Sequence, residues 1–130
     1  MRSLAASLVA LLLVPFPILA HHSFASEFDA SKPVIVKGAV TKVEWTNPHI
    51  WIYVDNKDEK GVVSRWQCEM GSPNTLTRQG WKKDSLKEGD QVIIEGSRAK
   101  DGTNTCNART VRLADGTRMF AGSSGGDGPR

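Results

Sequence analysis

The feature that most limits what this chain can become is the run Val34 to Trp45, which is dominated by β-branched residues and changes its apolar face midway. Val34, Val36 and Val40 share one parity, whereas Val43 and Trp45 share the other. Because side chains on a strand alternate between faces, one straight strand cannot bury both sets. The run predicts a single long, bent strand, with a bulge near Thr41-Lys42 or a bend at Gly38.

Shorter strands follow. Ile50 to Val54 places Ile50, Ile52 and Val54 on one face and ends in the polar loop Asp55 to Gly61. A third strand runs from about Val62 to Met70, with Trp66 and Cys68 on one parity. Gly71 to Gly80 then carries helix punctuation: Ser72 to cap, Pro73 at the first helical position and Gly80 to stop after about two turns. Gln91 to Gly96 is the fourth strand, and Cys106 to Leu113 the last, with Asp115-Gly116 turning into Thr117 to Phe120. Five strands with one short helix between the third and fourth, the first strand long and kinked, is the order of an oligonucleotide/oligosaccharide-binding (OB-like) barrel, so the expected class is all-β with one short helix. A small β-sandwich is the alternative, and it needs more strands than are present. Val34, Val36, Val40, Ile52, Val54, Leu76, Val92, Ile94 and Val111 are the core candidates.

The amino end has a different character. Arg2 precedes an uncharged apolar run from Leu4 to Leu19 that contains Pro15 and Pro17 and ends at Ala20, the profile of a secretory signal cut after Ala20. About 16 apolar residues with two prolines are too few for a spanning anchor, which needs about 20. Expected boundaries are therefore a signal at 1–20, one domain at 21–120 and a Gly/Ser-rich disordered tail at 121–130. The expected location is the periplasm or the secreted fraction, with no membrane anchor after processing. Removing Arg2 leaves 16 basic against 14 acidic side chains with no block of either sign, which argues against a nucleic-acid partner.

Cys68 and Cys106 are the only thiols, and in an oxidising compartment they can pair. The bridge would close a loop of about 39 residues, worth about 4 kcal/mol in the chain-entropy model. A soft metal site or two inert buried thiols are the alternatives, neither with supporting spacing.

All three histidines fall in two short segments, His21-His22-Ser23-Phe24 and Trp45-Thr46-Asn47-Pro48-His49. On these residues the chain resembles a family of small exported proteobacterial proteins, a domain of unknown function, that share an HHSFA-x-x-(F/Y)D start and a W-x-NPH motif. The matching positions are His21 to Ala25, Phe28-Asp29, Trp45 and Asn47 to His49. The likeness continues through Leu76 to Trp81, Gly89-Asp90 and the Asp101-Gly102 and Asp115-Gly116 turns. It implies no established activity and no catalytic residues, and the cysteine pair is not part of the shared pattern.

The residues themselves suggest metal chemistry. A histidine at a new amino terminus offers its free amine and ring Nδ1 to one ion, and a second imidazole completes the three-nitrogen set of a histidine brace. Such a near-planar nitrogen set suits Cu(II). His49 is the natural third donor, with His22 as competitor. Zinc is the rival metal, held by His21, His22, His49 and a carboxylate such as Glu27 or Asp29. The alternative is structural: a histidine after Asn-Pro that caps a turn, and a His-His pair that is only a processed end.

Trp45, Trp51, Tyr53 and Trp66 concentrate in the first three strands, the face on which such barrels hold ligands, although core or rim packing also accounts for them. No nucleophile motif, phosphate-cradling loop or distinctive carboxylate pair marks an enzyme. The leading expectation is a periplasmic copper-handling module without catalytic turnover. The alternative is an interaction module that binds a periplasmic protein or envelope glycan through its barrel face, and a copper-dependent oxidase comes third.

Overall fold

The computed structural model describes residues 24–122. The chain forms a helical turn α1 (Phe24–Glu27), strands β1 (Phe28–Glu44), β2 (Trp51–Lys57) and β3 (Val63–Glu69), helix α2 (Pro73–Arg78), and strands β4 (Gln91–Ala99), β5 (Thr105–Arg112) and β6 (Arg118–Phe120). Hydrogen bonding runs in the order β3-β2-β1-β4-β5-β6, and β3 also pairs in parallel with β5. The five principal strands therefore close into a ring, β1-β2-β3-β5-β4, with α2 between the third and fourth. This is the OB-like all-β arrangement. The sandwich alternative falls, because one sheet closed on itself takes every strand.

The long first strand serves two neighbours, lying against β4 from Phe28 to Ala39 and against β2 from Ala39 to Glu44. Its register with β2 slips between Val40 and Lys42, at the expected bulge. The slip lets Val40 be buried and Val43 still pack against the core. Gly38 lies where β1 passes from one neighbour to the other. A Cβ there would overlap the Asp55 carbonyl, so the approach of the two backbones admits no side chain.

At its amino end β1 begins at Phe28 rather than Val34, and it is preceded by a helical turn that the sequence did not announce. Phe28 pairs with Ala99 and Asp29 with Arg98, the register slips, and pairing resumes at Pro33 opposite Ser97. A proline is tolerated at such an irregularity, and the buried Phe28 ring gives the segment an apolar anchor.

Val36, Val40, Ile52, Val54, Leu76, Val92, Ile94 and Val111 are buried as parity predicts, while Val34 is only partly buried at the margin. Ile50 precedes β2 yet is fully buried; its N–H donates to Gly71 O (3.0 Å) and its carbonyl accepts from Met70 N–H (2.7 Å). Strand β4 continues past Gly96 to Ala99 through a register slip between Glu95 and Gly96.

Helix α2 forms as its punctuation dictates: Ser72 Oγ accepts from Thr75 N–H (3.2 Å), Pro73 opens the helix, and Gly80 takes a φ of +96° just beyond it. Trp81 then enters the core at 2% exposure, and its Nε1–H donates to the Phe120 carbonyl (2.8 Å). Ala121, expected in a disordered tail, is buried instead. Its N–H donates to Arg109 O and its carbonyl accepts from Gly71 N–H, both at 2.8 Å.

Cys68 and Cys106 face each other across the parallel β3–β5 pair and form a disulfide, with Cα atoms 4.5 Å apart. The bond fastens the pairing that closes the ring. The apolar leader with its expected cut, His21, His22 and residues 123–130 lie outside the described residues. Among the described residues no helix is long and apolar enough to cross a membrane.

Candidate functional site

His49 is the one histidine among the described residues. It follows the cis Asn47–Pro48 peptide and precedes Ile50, whose burial and backbone bonds to Met70 and Gly71 fix the chain beside the end of β3. The imidazole is thereby brought to Glu69, and its Nδ1 pairs with Glu69 Oε1.

Glu69 is the one buried charged residue among the described residues, at 7% exposure. With Cys68 turned inward, alternation places Glu69 on the outer face of the sheet. There it stands opposite Trp51 of β2 and Asn107 of β5, with Glu44 opposite Trp51 in the same row. Burial pushes the Glu69 carboxyl above its ordinary pKa; His49 opposes that shift, and the negative charge of Glu27 adds to it.

The influence of Glu27 brings α1 into the electrostatic surroundings of Glu69. Three contacts hold α1 against Lys100 and Phe28. Lys100 N–H donates to Glu27 O (2.9 Å), Lys100 Nζ donates to the Ala25 carbonyl, and the Phe24 ring stacks on Phe28 with centroids 5.8 Å apart. His21 to Ser23 immediately precede this anchored turn in the sequence.

A ring nitrogen engaged by a carboxylate leaves the other as the available donor. With Nδ1 directed at Glu69, the carboxylate orients the His49 ring and leaves Nε2 as the nitrogen turned to a ligand. Metal-bound histidines almost always donate their other ring N–H to such a partner, a carboxylate, a backbone carbonyl or water. At 37% exposure the His49 side chain is open to an external ligand. Among the described residues no three His, Cys, Asp or Glu side chains gather as a metal-holding set. Of the two carboxylates considered for zinc, Glu27 acts on Glu69, whereas Asp29 accepts from the Ser31 hydroxyl (2.6 Å) and N–H (2.9 Å), which lowers its pKa.

A family model matches residues 10–108, more than half of the chain. The chain belongs to DUF6152, a family of unknown function. The span matched to DUF6152 takes in both histidine segments and both half-cystines. No curated protein and no solved structure matches the chain.

The four aromatic residues read as one ligand face are divided in this DUF6152 fold. Trp66 stands opposite Val54 and packs, like Trp45, against the core, with the Arg98 guanidinium 5.5 Å from the Trp66 ring centroid. Trp51 and Tyr53 have the opposite parity to Ile52 and Val54 and lie on the outer face. Trp51 stands opposite Glu69, and Tyr53 O–H donates to Glu44 Oε2 (3.2 Å). The Glu44 carboxylate also accepts from Lys42 Nζ (2.6 Å). Sequence reasoning missed Glu69. The signal that could have found it is a lone acid between Cys68 and Met70, in a strand whose neighbours are core.

Proposed function

We propose that the chain is an exported copper-handling module in which His49 Nε2 joins the amine and ring Nδ1 of an amino-terminal His21, with His22 ligating or supporting. One observation carries the reading: the single buried charged side chain among the described residues, Glu69, is engaged in orienting the one described histidine. Withdrawing a carboxylate from water costs about several kcal/mol even after relaxation. A partly exposed ring oriented in this way suits an imidazole that binds a ligand.

An all-nitrogen set favours Cu(II) among the divalent first-row ions, and zinc with His21, His22, His49 and Glu27 is the rival. Export belongs to the same reading, because the cut after Ala20 creates the amine, and a Cys68–Cys106 disulfide suits an oxidising compartment.

Protein beginning at His21 is expected to bind Cu(II) tightly and to give a nitrogen-rich electron paramagnetic resonance spectrum. His49→Ala, or a methionine added before His21, should weaken binding by about 100-fold or more. Micromolar or weaker affinity that does not change in His49→Ala overturns the reading.

A second reading, a module that binds an envelope glycan or protein, draws on Trp51 and Tyr53 side by side on the outer face among Lys42, Glu44 and Gln67. Under it, Trp51→Ala abolishes partner binding and His49→Ala does not.

A further inference from the structure

We infer that a cleft on the outer face of the sheet, where the β1–β2 ladder ends, is a binding site for a sugar that carries an acidic group, a carboxylate or a phosphate. The inference does not rest on the copper reading. Ala39 opposite Asp55 is the last pair of that ladder, and beyond it β2 runs on to Lys57 paired with β3 alone. Asn56 Nδ2 reaches back to the Lys37 carbonyl (2.7 Å) and ties the two strands across the gap. The cleft there is lined from four strands: Val63 of β3, Asp55 and Lys57 of β2, Lys37 of β1 and Gln91 of β4. Its volume of about 440 Å3 suits a small ligand.

The charges in the cleft are unbalanced. Continuing the β1–β2 register past Ala39 and Asp55 sets Lys57 opposite Lys37, and like charges on facing residues destabilise a sheet. Among the described residues neither ammonium has an ion-pair partner. Asp55, the carboxylate that lines the cleft, is engaged at Oδ1 by Arg65 Nε (3.2 Å). Arg112 and Arg118, which face each other across β5 and β6, are treated differently, since Glu95 Oε2 meets Arg118 Nη2 at 2.9 Å. An oxyanion between Lys37 and Lys57 relieves their repulsion and accepts charge-assisted hydrogen bonds from both. The remaining lining selects the body that carries the anion. Asp55 Oδ2 accepts from hydroxyls, the Gln91 amide both donates and accepts, and Val63, at 56% exposure, offers an apolar patch to the C–H face of a sugar ring. Among the described residues no aromatic ring lines the cleft, so a nucleobase has nothing to stack on.

The test is a titration of the metal-free protein with glucuronate and with glucose 6-phosphate, followed by amide chemical shifts. Shifts should move and saturate at Lys37 to Ala39, Asp55 to Lys57, Val63 and Gln91 with at least one of the two, and the tighter binder names the acidic group. Glucose, and acetate and inorganic phosphate as bare ions, should bind about 10-fold more weakly or worse. Lys37→Gln/Lys57→Gln should lose about 10-fold or more in affinity for the sugar acid. The urea midpoint of this double variant should equal or exceed the parent's, because the repulsion is gone. No saturable binding of either sugar acid up to about 10 mM overturns the site. So do saturating shifts confined to another part of the surface, and so does an affinity that the double variant leaves unchanged. Bare ions that bind as tightly as the sugar acids overturn the sugar assignment and leave an adventitious ion only. A midpoint below the parent's shows that the lysines stabilise the fold, and it overturns the unbalanced charge on which the site depends.

Discussion

Glu69 stands between Trp51 and Asn107 with the His49 ring against it, so its charge is met by one imidazole rather than by bulk water. Glu69→Gln keeps the shape and a hydrogen-bonding oxygen but removes the charge that orients the ring. Cu(II) affinity should fall by about 10- to 100-fold in a competition titration. The unfolding free energy should change by less than about 1 kcal/mol, because relief from burying a charge offsets the weaker hydrogen bond. Parent-like affinity would reduce Glu69 to a structural residue. His49 was legible as a candidate because its W-x-NPH setting makes it conspicuous in a chain with so few histidines. Glu69 was not, because strand parity assigns it to the outer face, where an acid normally meets solvent. Its burial comes from His49 and Trp51, which the chain brings in from elsewhere.

Two turns repeat one device at the level of the element. In Asp101-Gly102-Thr103 and Asp115-Gly116-Thr117 the aspartate accepts from the N–H two residues on, at 3.0 and 2.8 Å, and the glycine takes a φ of +77° or +88°. The Thr103 hydroxyl, then its N–H, holds Asp101 below the ordinary value of 3.8, and the Thr117 N–H, then its hydroxyl, does the same for Asp115. A carboxyl with a lowered folded pKa stabilises the fold above its unfolded pKa and loses that contribution as pH falls through the folded one. Asp101→Asn/Asp115→Asn should therefore lose stability less steeply than the parent as pH falls below about 4, followed by urea unfolding at stepped pH. An equal or steeper slope would contradict the device. These turns were readable from their residues, as were α2 and the β1 bulge, because the determinants are local. The strand from Phe28 to Pro33 was not: Asp29, Lys32 and Pro33 look like a lead, and only the facing Ser97 to Ala99 edge of β4 makes them a strand. Trp81 was equally hidden, between Gly80 and two lysines with no periodicity to mark it as core.

Closure of the sheet is a property of the whole molecule, and it depends on β3 meeting β5 in parallel over only Gln67 to Glu69 and Thr105 to Asn107. The disulfide lies at the centre of that pairing. Replacing both cysteines with alanine should lower the unfolding free energy by about 4 kcal/mol, read as a shift in the urea midpoint. The strand order was legible from the spacing of apolar runs, but parallel contact between strands distant in sequence leaves no periodic trace, and the two cysteines were its only sign. The bond also divides the chain mechanically. In a molecule stretched by its ends in an optical trap, the cross-link withholds the 38-residue separation between its half-cystines, with α2, Trp81 and all of β4 inside. The oxidised chain should then stop about 130 Å short of the reduced one at full extension.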